Sequence, residues 1–236
     1  MLSLLSFVLA DAHAMTVVYE DNHVIIVNKR SGEIVQGDKT GDTPLSETVK
    51  DYIKQKYSKP GNVFLGVVHR LDRPVNGLVV FARTSKALER LNRMFRTHEV
   101  KKTYWAITAS CPKEPQGTLR HWIVRNEKQN KSYCYDHEVP GSKLAVLDYR
   151  LVASSERYFL LEIDLHTGRH HQIRCQLAKI GCCIKGDLKY GAPRSNPDGS
   201  ISLLSRRVEF VHPVSKMLVS AEAPLPDDNL WRAFRV

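Results

Sequence analysis

Residues 63–84 read Val-Phe-Leu-Gly-Val-Val-His-Arg-Leu-Asp-Arg-Pro-Val-Asn-Gly-Leu-Val-Val-Phe-Ala-Arg-Thr, and the fold turns on what this stretch becomes. Its two apolar runs, 63–68 and 78–82, are rich in β-branched residues, and runs this short bounded by Gly and Pro predict buried strands. Between them His69, Arg70, Asp72 and Arg73 fall within five positions, and Pro74, Asn76 and Gly77 supply turn chemistry. In extended backbone Arg70 and Asp72 point one way and Leu71 the other, so Leu71 can anchor a loop that displays an aspartate beside arginines. An opposite charge within a few ångströms favours the ionised form, so Asp72 is expected to be a carboxylate, a nucleophile or electrostatic stabiliser and not an acid. A solvated ion-pair cluster at a loop tip would have the same composition, and the stretch alone does not separate the two.

Working outward, residues 17–19 and 24–27 predict a hairpin across a Glu20-Asp21-Asn22 turn, followed by Asn28-Lys29-Arg30-Ser31-Gly32. Thr43-Pro44 opens a helix with proline in its first turn and an apolar stripe of Leu45, Val49, Tyr52, Ile53 and Tyr57 that runs to Pro60. A second helix, N-capped by Thr84, buries Ala87, Leu88, Leu91, Met94 and Phe95. It leaves Lys86, Arg90, Arg93 and Arg96 as a basic face for solvent or phosphates. Residues 101–107 alternate as a strand that sends Tyr104 to the face opposite Trp105 and Ile107. Short alternating runs at 119–124 and 133–136 predict a hairpin or rim loops carrying Arg120, Arg125, Lys128 and Lys131, and 145–152 pairs with 158–165 across Ser154-Ser155-Glu156. His166-Thr167-Gly168-Arg169-His170-His171-Gln172-Ile173-Arg174 then leads into a helix with Ile173, Leu177 and Ile180 buried and a stop at Gly181. Arginines around the positive end of a helix call for a compensating anion.

Thirty-five Lys and Arg against 25 Asp and Glu give the 236-residue chain a net charge of +10, which favours a polyanionic partner. A membrane surface is the rival, but no basic amphipathic helix stands out, and no stretch approaches the ~20 apolar residues of a transmembrane helix. Cys111, Cys134, Cys175, Cys182 and Cys183 are odd in number and contain no Cys-x-x-Cys, which fits reduced thiols in a cytoplasm. A zinc site from His170, His171, Cys175 and Cys182 would match no usual ligand spacing. Residues 1–14 are apolar and end in Ala-His-Ala, superficially a signal peptide; lacking a basic start, they read as an extension or an early start codon.

His69-Arg70-Leu71-Asp72-Arg73, followed by a small polar residue and Gly77, resembles the catalytic motif of the RluA-type RNA pseudouridine synthases. That resemblance implies that Asp72 attacks the target uridine, that Arg70 helps to flip the base from its helix, and that Gly77 closes the loop. Val75 and Asn76 depart from the family's Thr-Ser, which removes one hydroxyl but keeps a side chain that donates and accepts. The run 102–106 is similar to the family's Lys-x-Tyr-x-Ala, which implies that Tyr104 faces the reacting uracil as a proton acceptor. Residues 168–174 resemble its Gly-Arg-x-His-Gln-Ile/Leu-Arg, which implies that Arg174 pairs with Asp72, while Arg169 contacts RNA backbone or braces the loop. There His170 is expected to be exposed and of little consequence. Lys29, by pattern a surface lysine, takes from the resemblance a supporting role near the cleft. Gly186-Asp187-Leu188-Lys189-Tyr190-Gly191 matches a further family element, and the likeness covers about residues 16–228.

The resemblance implies an α+β fold, a mixed, largely antiparallel β-sheet flanked by helices around a central cleft, with residues 15–236 as the catalytic domain. Alternating strands with few βαβ crossovers agree with that. The implied function is isomerisation of a specific uridine in an rRNA or tRNA stem-loop, by a cytoplasmic monomer that needs no metal or cofactor. The expected catalytic residues are Asp72, Tyr104 and Arg174, and the expected RNA contacts are Arg70, Arg73, Arg169 and Arg93. Two rivals remain: a glycoside hydrolase pairing Asp72 with Asp164 or Asp187, and a non-catalytic RNA-binding or ribosome-assembly protein on the same fold.

Overall fold

The structure, a computed structural model, describes residues 15–234, so the extension expected at 1–14 lies outside the described residues. Its strands are β1 (Thr16–Glu20), β2 (Val24–Lys29), β3 (Gly66–Val67), β4 (Asn76–Ala82), β5 (Lys101–Thr108), β6 (Gln116–Asn126), β7 (Lys131–Tyr135), β8 (Lys143–Ser154), β9 (Phe159–Leu165), β10 (Leu203–Val211) and β11 (Leu218–Glu222). The helices are α1 (Leu45–Lys56), α2 (Ser85–Arg96), α3 (Gln172–Lys179) and α4 (Asn229–Ala233), with a 3-10 turn at Leu188–Tyr190. Among the described residues the strands join one sheet in the order β1-β2-β4-β10-β5-β9-β8-β6-β7, with β11 added to β10 and β3 to β4. Among the described strands only β4 with β10 is parallel, which makes this the mixed, largely antiparallel α+β architecture expected.

The continuous apolar runs of β2 and β4 mark strands covered on both faces. Ile25, Val27, Val79 and Phe81 pack under α1, while Val24, Ile26, Leu78 and Val80 pack against Ala87, Leu91 and Met94 of α2. The Thr84 hydroxyl accepts the Ala87 N–H at 3.2 Å, the N-cap expected for α2. Strand β5 divides as its alternation predicts: Tyr104 and Ala106 join Ile173 and Leu177 of α3, and Trp105 and Ile107 join the α2 cluster.

Three expectations need correction. Residues 63–68 are not a strand; only Gly66 and Val67 pair, with Ala82 and Phe81. With Gly66 opposite Ala82, residues 63–65 fall opposite 83–85, where β4 has ended and α2 is beginning, so they run as irregular chain, with Val63 and Leu65 against the α1 cluster and Phe64 half exposed. Pro44 caps α1 from the position before the helix instead of lying in its first turn. Tyr57 leaves the apolar stripe, and its hydroxyl donates to Glu20 at 2.9 Å from an exposed ring.

Candidate active site

The charged tip of residues 69–75 lies between β3 and β4 and is held mainly through its backbone. Leu71 wedges between the α1 and α3 clusters, the anchoring role its alternation predicts. From the other side the segment after β2 grips the loop. Lys29 Nζ donates to the carbonyls of Arg30, Arg73 and Val75 at 3.0, 3.0 and 2.8 Å, Gly32 N–H donates to Arg73 O at 2.9 Å, and Ser31 N–H donates to Asn76 Oδ1 at 2.7 Å. Lys29 is therefore a buried strut rather than a surface lysine, and burial lowers its pKa to about 8 against the opposing charges of Glu33 and Asp72. Val75 is buried among apolar side chains, and its carbonyl, not a hydroxyl, carries the loop's bond there. Gly77 has φ +116°, and a Cβ would sit 2.3 Å from Ser205 O, because the parallel pairing of β4 with β10 brings the two backbones into contact.

The partner of Asp72 comes from far along the chain. Arg174, in the first turn of α3, gives Nη1 to Asp72 Oδ2 at 2.9 Å while Nε and Nη2 form a fork on Asp187 at 2.6 and 2.8 Å. Burial opposes the guanidinium charge, but the Asp187 hydrogen bonds and the charges of Asp187 and Asp72 outweigh it and raise its pKa. The Tyr190 ring lies 5.1 Å from the guanidinium carbon, as a cation–π platform. This is the anion the helix end calls for, supplied by two aspartates. The Arg174 to Asp72 contact expected from the resemblance is present; the expectation that neighbouring arginines balance Asp72 is not met. Arg73 pairs with Asp42, and Arg70 is exposed. A turn of adjacent residues points those long side chains outward, whereas α3 aims Arg174 back at the loop.

Asp72 keeps 28% of its side chain exposed at the wall of a cleft of about 1010 Å³. Among the described lining residues eight are Lys or Arg and only Asp38 and Asp72 are carboxylates, so the cleft is a concave cationic surface. Arg70, Arg73, Tyr104, Arg169 and Arg174 all line it. Burial raises the Tyr104 phenol to about 12, with the charge of Asp72 acting in the same direction and Ser205 against it. Arg169 is partly committed, its Nε donating to Leu144 O at 2.9 Å. Arg93 does not line the cleft; it sits with Arg90 and Arg96 on the outer face of α2, and of these three only Arg96 reaches the cleft. The helical spacing turns Arg93 away from the wall that Asn92, Phe95 and Arg96 form.

Sequence reasoning underrated four residues. Asp187, 1% exposed, is the clamp of Arg174, and this double engagement leaves it no role as a hydrolase acid; Asp164 accepts from Thr103 Oγ1 on β5. His171 and Tyr190 pack beside Arg174, with His171 Nε2 3.4 Å from Asp72 Oδ2. His170 is not the exposed, inconsequential residue expected: it stacks on His171 at 3.8 Å, and Ser132 Oγ lies 2.9 Å from its Nδ1. The only signal for any of these was the motif likeness, since His171 opens α3 from a left-handed conformation (φ 54°) and Asp187 and Tyr190 lie in a segment with no periodicity. His69, despite its place beside Asp72, is structural: Nε2 accepts the Val80 N–H at 2.9 Å, the ring stacks on Phe95, and burial lowers its pKa to about 3.

A profile described as RNA pseudouridylate synthase matches residues 23–179, from β2 through the loop of Asp72 to the end of α3. An uncharacterized RNA pseudouridine synthase of Bacillus subtilis, YhcT, is 34% identical over 97% of this chain and 75% of its own. The ribosomal large subunit pseudouridine synthase D of Zymomonas mobilis is 30% identical over 91% of this chain and 70% of its own. Among solved structures, human RNA pseudouridylate synthase domain containing 4 superposes with a TM-score of 0.75 over 90% of this chain and 89% of that one at 23% identity, a likeness of fold. The profile and the curated relatives agree, and the chain belongs to the RNA pseudouridylate synthase family.

Proposed function

We propose that this protein isomerises a uridine held in its cationic cleft, with Asp72 as the nucleophile. Turning uridine into pseudouridine breaks the bond from C1′ to N1 and rejoins the detached uracil through C5, after which the C5 proton leaves. The uracil must therefore be out of its stack and retained while detached, at a cost of a few kcal/mol for extrusion from a helix. The observation that carries this reading is the engagement of one Asp72 oxygen only: Arg174 binds Oδ2, and among the described residues nothing hydrogen-bonds Oδ1. An oxygen so placed, on a carboxylate still partly open to the cleft, can add to C1′ or assist departure of the base. Tyr104 lines the same cleft and can cover the uracil; as a neutral phenol it acts through its oxygen lone pairs rather than as a tyrosinate. In this reading Arg70, exposed at the cleft, fills the vacated stack, Arg73 and Arg169 in the same cleft meet phosphates, and Arg93, outside it, meets a flanking strand. The proposed substrate is a stem-loop of rRNA or tRNA.

Asp72→Asn tests this directly. RNA affinity should persist, and conversion of a uridine-containing transcript should stop. Product formed at the wild-type rate would remove Asp72 from the nucleophile's role and leave an RNA-binding protein on this fold.

A further inference from the structure

Asp72 Oδ2 lies near a second donor besides Arg174. His171 is 8% exposed, its Nε2 is 3.4 Å from that oxygen, and its Nδ1 is 2.9 Å from the Tyr190 hydroxyl. The Tyr190 oxygen accepts the Ser132 N–H at 2.8 Å. With that bond made, the hydroxyl proton has one hydrogen-bond acceptor among the described residues, the His171 Nδ1 lone pair. The opposite tautomer, with its proton on Nδ1, would strand the Tyr190 hydroxyl proton inside the protein and turn a nitrogen lone pair toward a carboxylate oxygen, two faults at once. We infer that Ser132, Tyr190 and His171 form a one-directional hydrogen-bond chain that fixes His171 as the neutral Nε2–H tautomer and aims that proton at Asp72 Oδ2, making His171 and Tyr190 positioning residues for the nucleophile. The inference rests on the reading of Asp72 given above.

The surroundings agree with a neutral ring. Burial first, and then the charges of Arg174, His170, Lys189 and Arg125, hold the His171 pKa well below its ordinary value. The chain also divides the carboxylate. Both groups face the same oxygen, Arg174 through a charged hydrogen bond at 2.9 Å and His171 as a neutral ring at 3.4 Å, so the carboxylate is held from one side. The chain begins at Ser132 in β7, and so connects the β6–β7 hairpin, whose Arg125 and Asn130 line the cleft, to the reacting group.

Two measurements test it. In nitrogen-15 spectra of the histidine rings of the intact protein at neutral pH, the His171 signal, assigned by its loss in His171→Gln, should report a protonated Nε2 and a bare Nδ1. A protonated Nδ1, or an imidazolium, overturns the inference whatever the fate of Asp72. In turnover, Tyr190→Phe keeps the ring under Arg174 but removes the hydroxyl, and kcat should fall about ten-fold with KM unchanged. His171→Gln, which can still accept through Oε1 and donate through Nε2, should retain more kcat than His171→Leu. Equal kcat in wild type, Tyr190→Phe and His171→Leu overturns the positioning role. Failure of the Asp72→Asn test would refute the nucleophile assignment while leaving the tautomer result standing, so the two can fail separately.

Discussion

Replacing Lys29 by Met should separate the stability of this protein from its activity. The side chain is fully buried, and its pKa falls from 10.5 to about 8, chiefly through burial. At ~1.4 kcal/mol per pH unit, a pKa of about 8 in place of 10.5 means that the charged form costs the folded state about 3 kcal/mol at neutral pH. The sign follows from proton counts. Below the folded value of about 8 both states hold the proton and the cost is present in full; between about 8 and 10.5 the unfolded chain holds it and the folded one releases it, so wild-type stability gains with rising pH. Met has a similar length and no charge, but it leaves the buried Val75 carbonyl without its donor, about 1–3 kcal/mol, while the Arg30 carbonyl keeps its bond from the Glu33 N–H at 3.4 Å. The Arg73 carbonyl keeps its bond from Gly32.

Relief of one charge and loss of one acceptor's partner nearly cancel, so the variant should unfold within about 2 kcal/mol of wild type at pH 7. By about pH 10 wild type has recovered most of its cost, and the gap should open in its favour by about 2–3 kcal/mol. Urea unfolding at the two pH values measures this. Activity should behave otherwise, because the same bonds hold the backbone on which Asp72 rides. Release of tritium from RNA labelled at uracil C5, the atom that loses its hydrogen on isomerisation, should slow about ten-fold or more, a barrier increase of ~1.4 kcal/mol. A stability gap that is the same at both pH values, or full activity in the variant, would refute the assignment of Lys29 as a charged strut for the loop.

Arg174→Lys keeps the charge but cannot bridge two carboxylates with one planar fork. It should cost about 3 kcal/mol in denaturant unfolding and at least about a hundred-fold in turnover, because Asp187 is left buried with a poorer partner. Gly77→Ala drives a methyl group into the Ser205 backbone at a φ of +116° and should lower the melting temperature sharply or prevent folding, read by circular dichroism. Tyr104→Phe should lower kcat with little change in KM, since the ring stays; and because the phenol is raised to about 12, the wild-type rate profile from about pH 6 to 9 should show no limb from tyrosinate formation.

What was legible from residue order and what was not follow a physical division. Helix α2 was readable because its threonine cap and its apolar stripe are local, and the two faces of β5 were readable because a strand alternates without regard to its neighbours. Strand 63–68 was misread because an apolar run does not reveal where its partner ends: with Gly66 opposite Ala82, residues 63–65 face 83–85, which already turn into α2. Lys29 was misread for a similar reason. Within Asn-Lys-Arg-Ser-Gly nothing distinguishes a lysine whose ammonium will meet three inward carbonyls from one that reaches solvent, and the carbonyls of Arg73 and Val75 are 44 and 46 residues away. The Asp72 to Arg174 contact spans 102 residues, and only the likeness to a known motif suggested it.

The misplaced arginines bear on function. Pattern reading assigned Arg70 and Arg73 both to balancing Asp72 and to meeting RNA, yet an arginine held against a carboxylate has fewer donors to offer a phosphate. The fold removes the conflict by distance. Arg174, buried and joined to Asp187, supplies the charge that Asp72 needs, with Lys29 adding a second positive charge through the loop's backbone. A protonated His171 would make a third, and its strongly lowered pKa keeps that from happening. The inner shell of Asp72, Asp187, Arg174 and Lys29 is thus close to neutral, and the positive field of the cleft comes from its outer wall, where Arg70 stands exposed. Under the proposed reading, a polyanion is drawn to that wall while the nucleophile keeps its electron density. Moving the balancing arginine from position 174 to a neighbour of Asp72 would weaken both effects together.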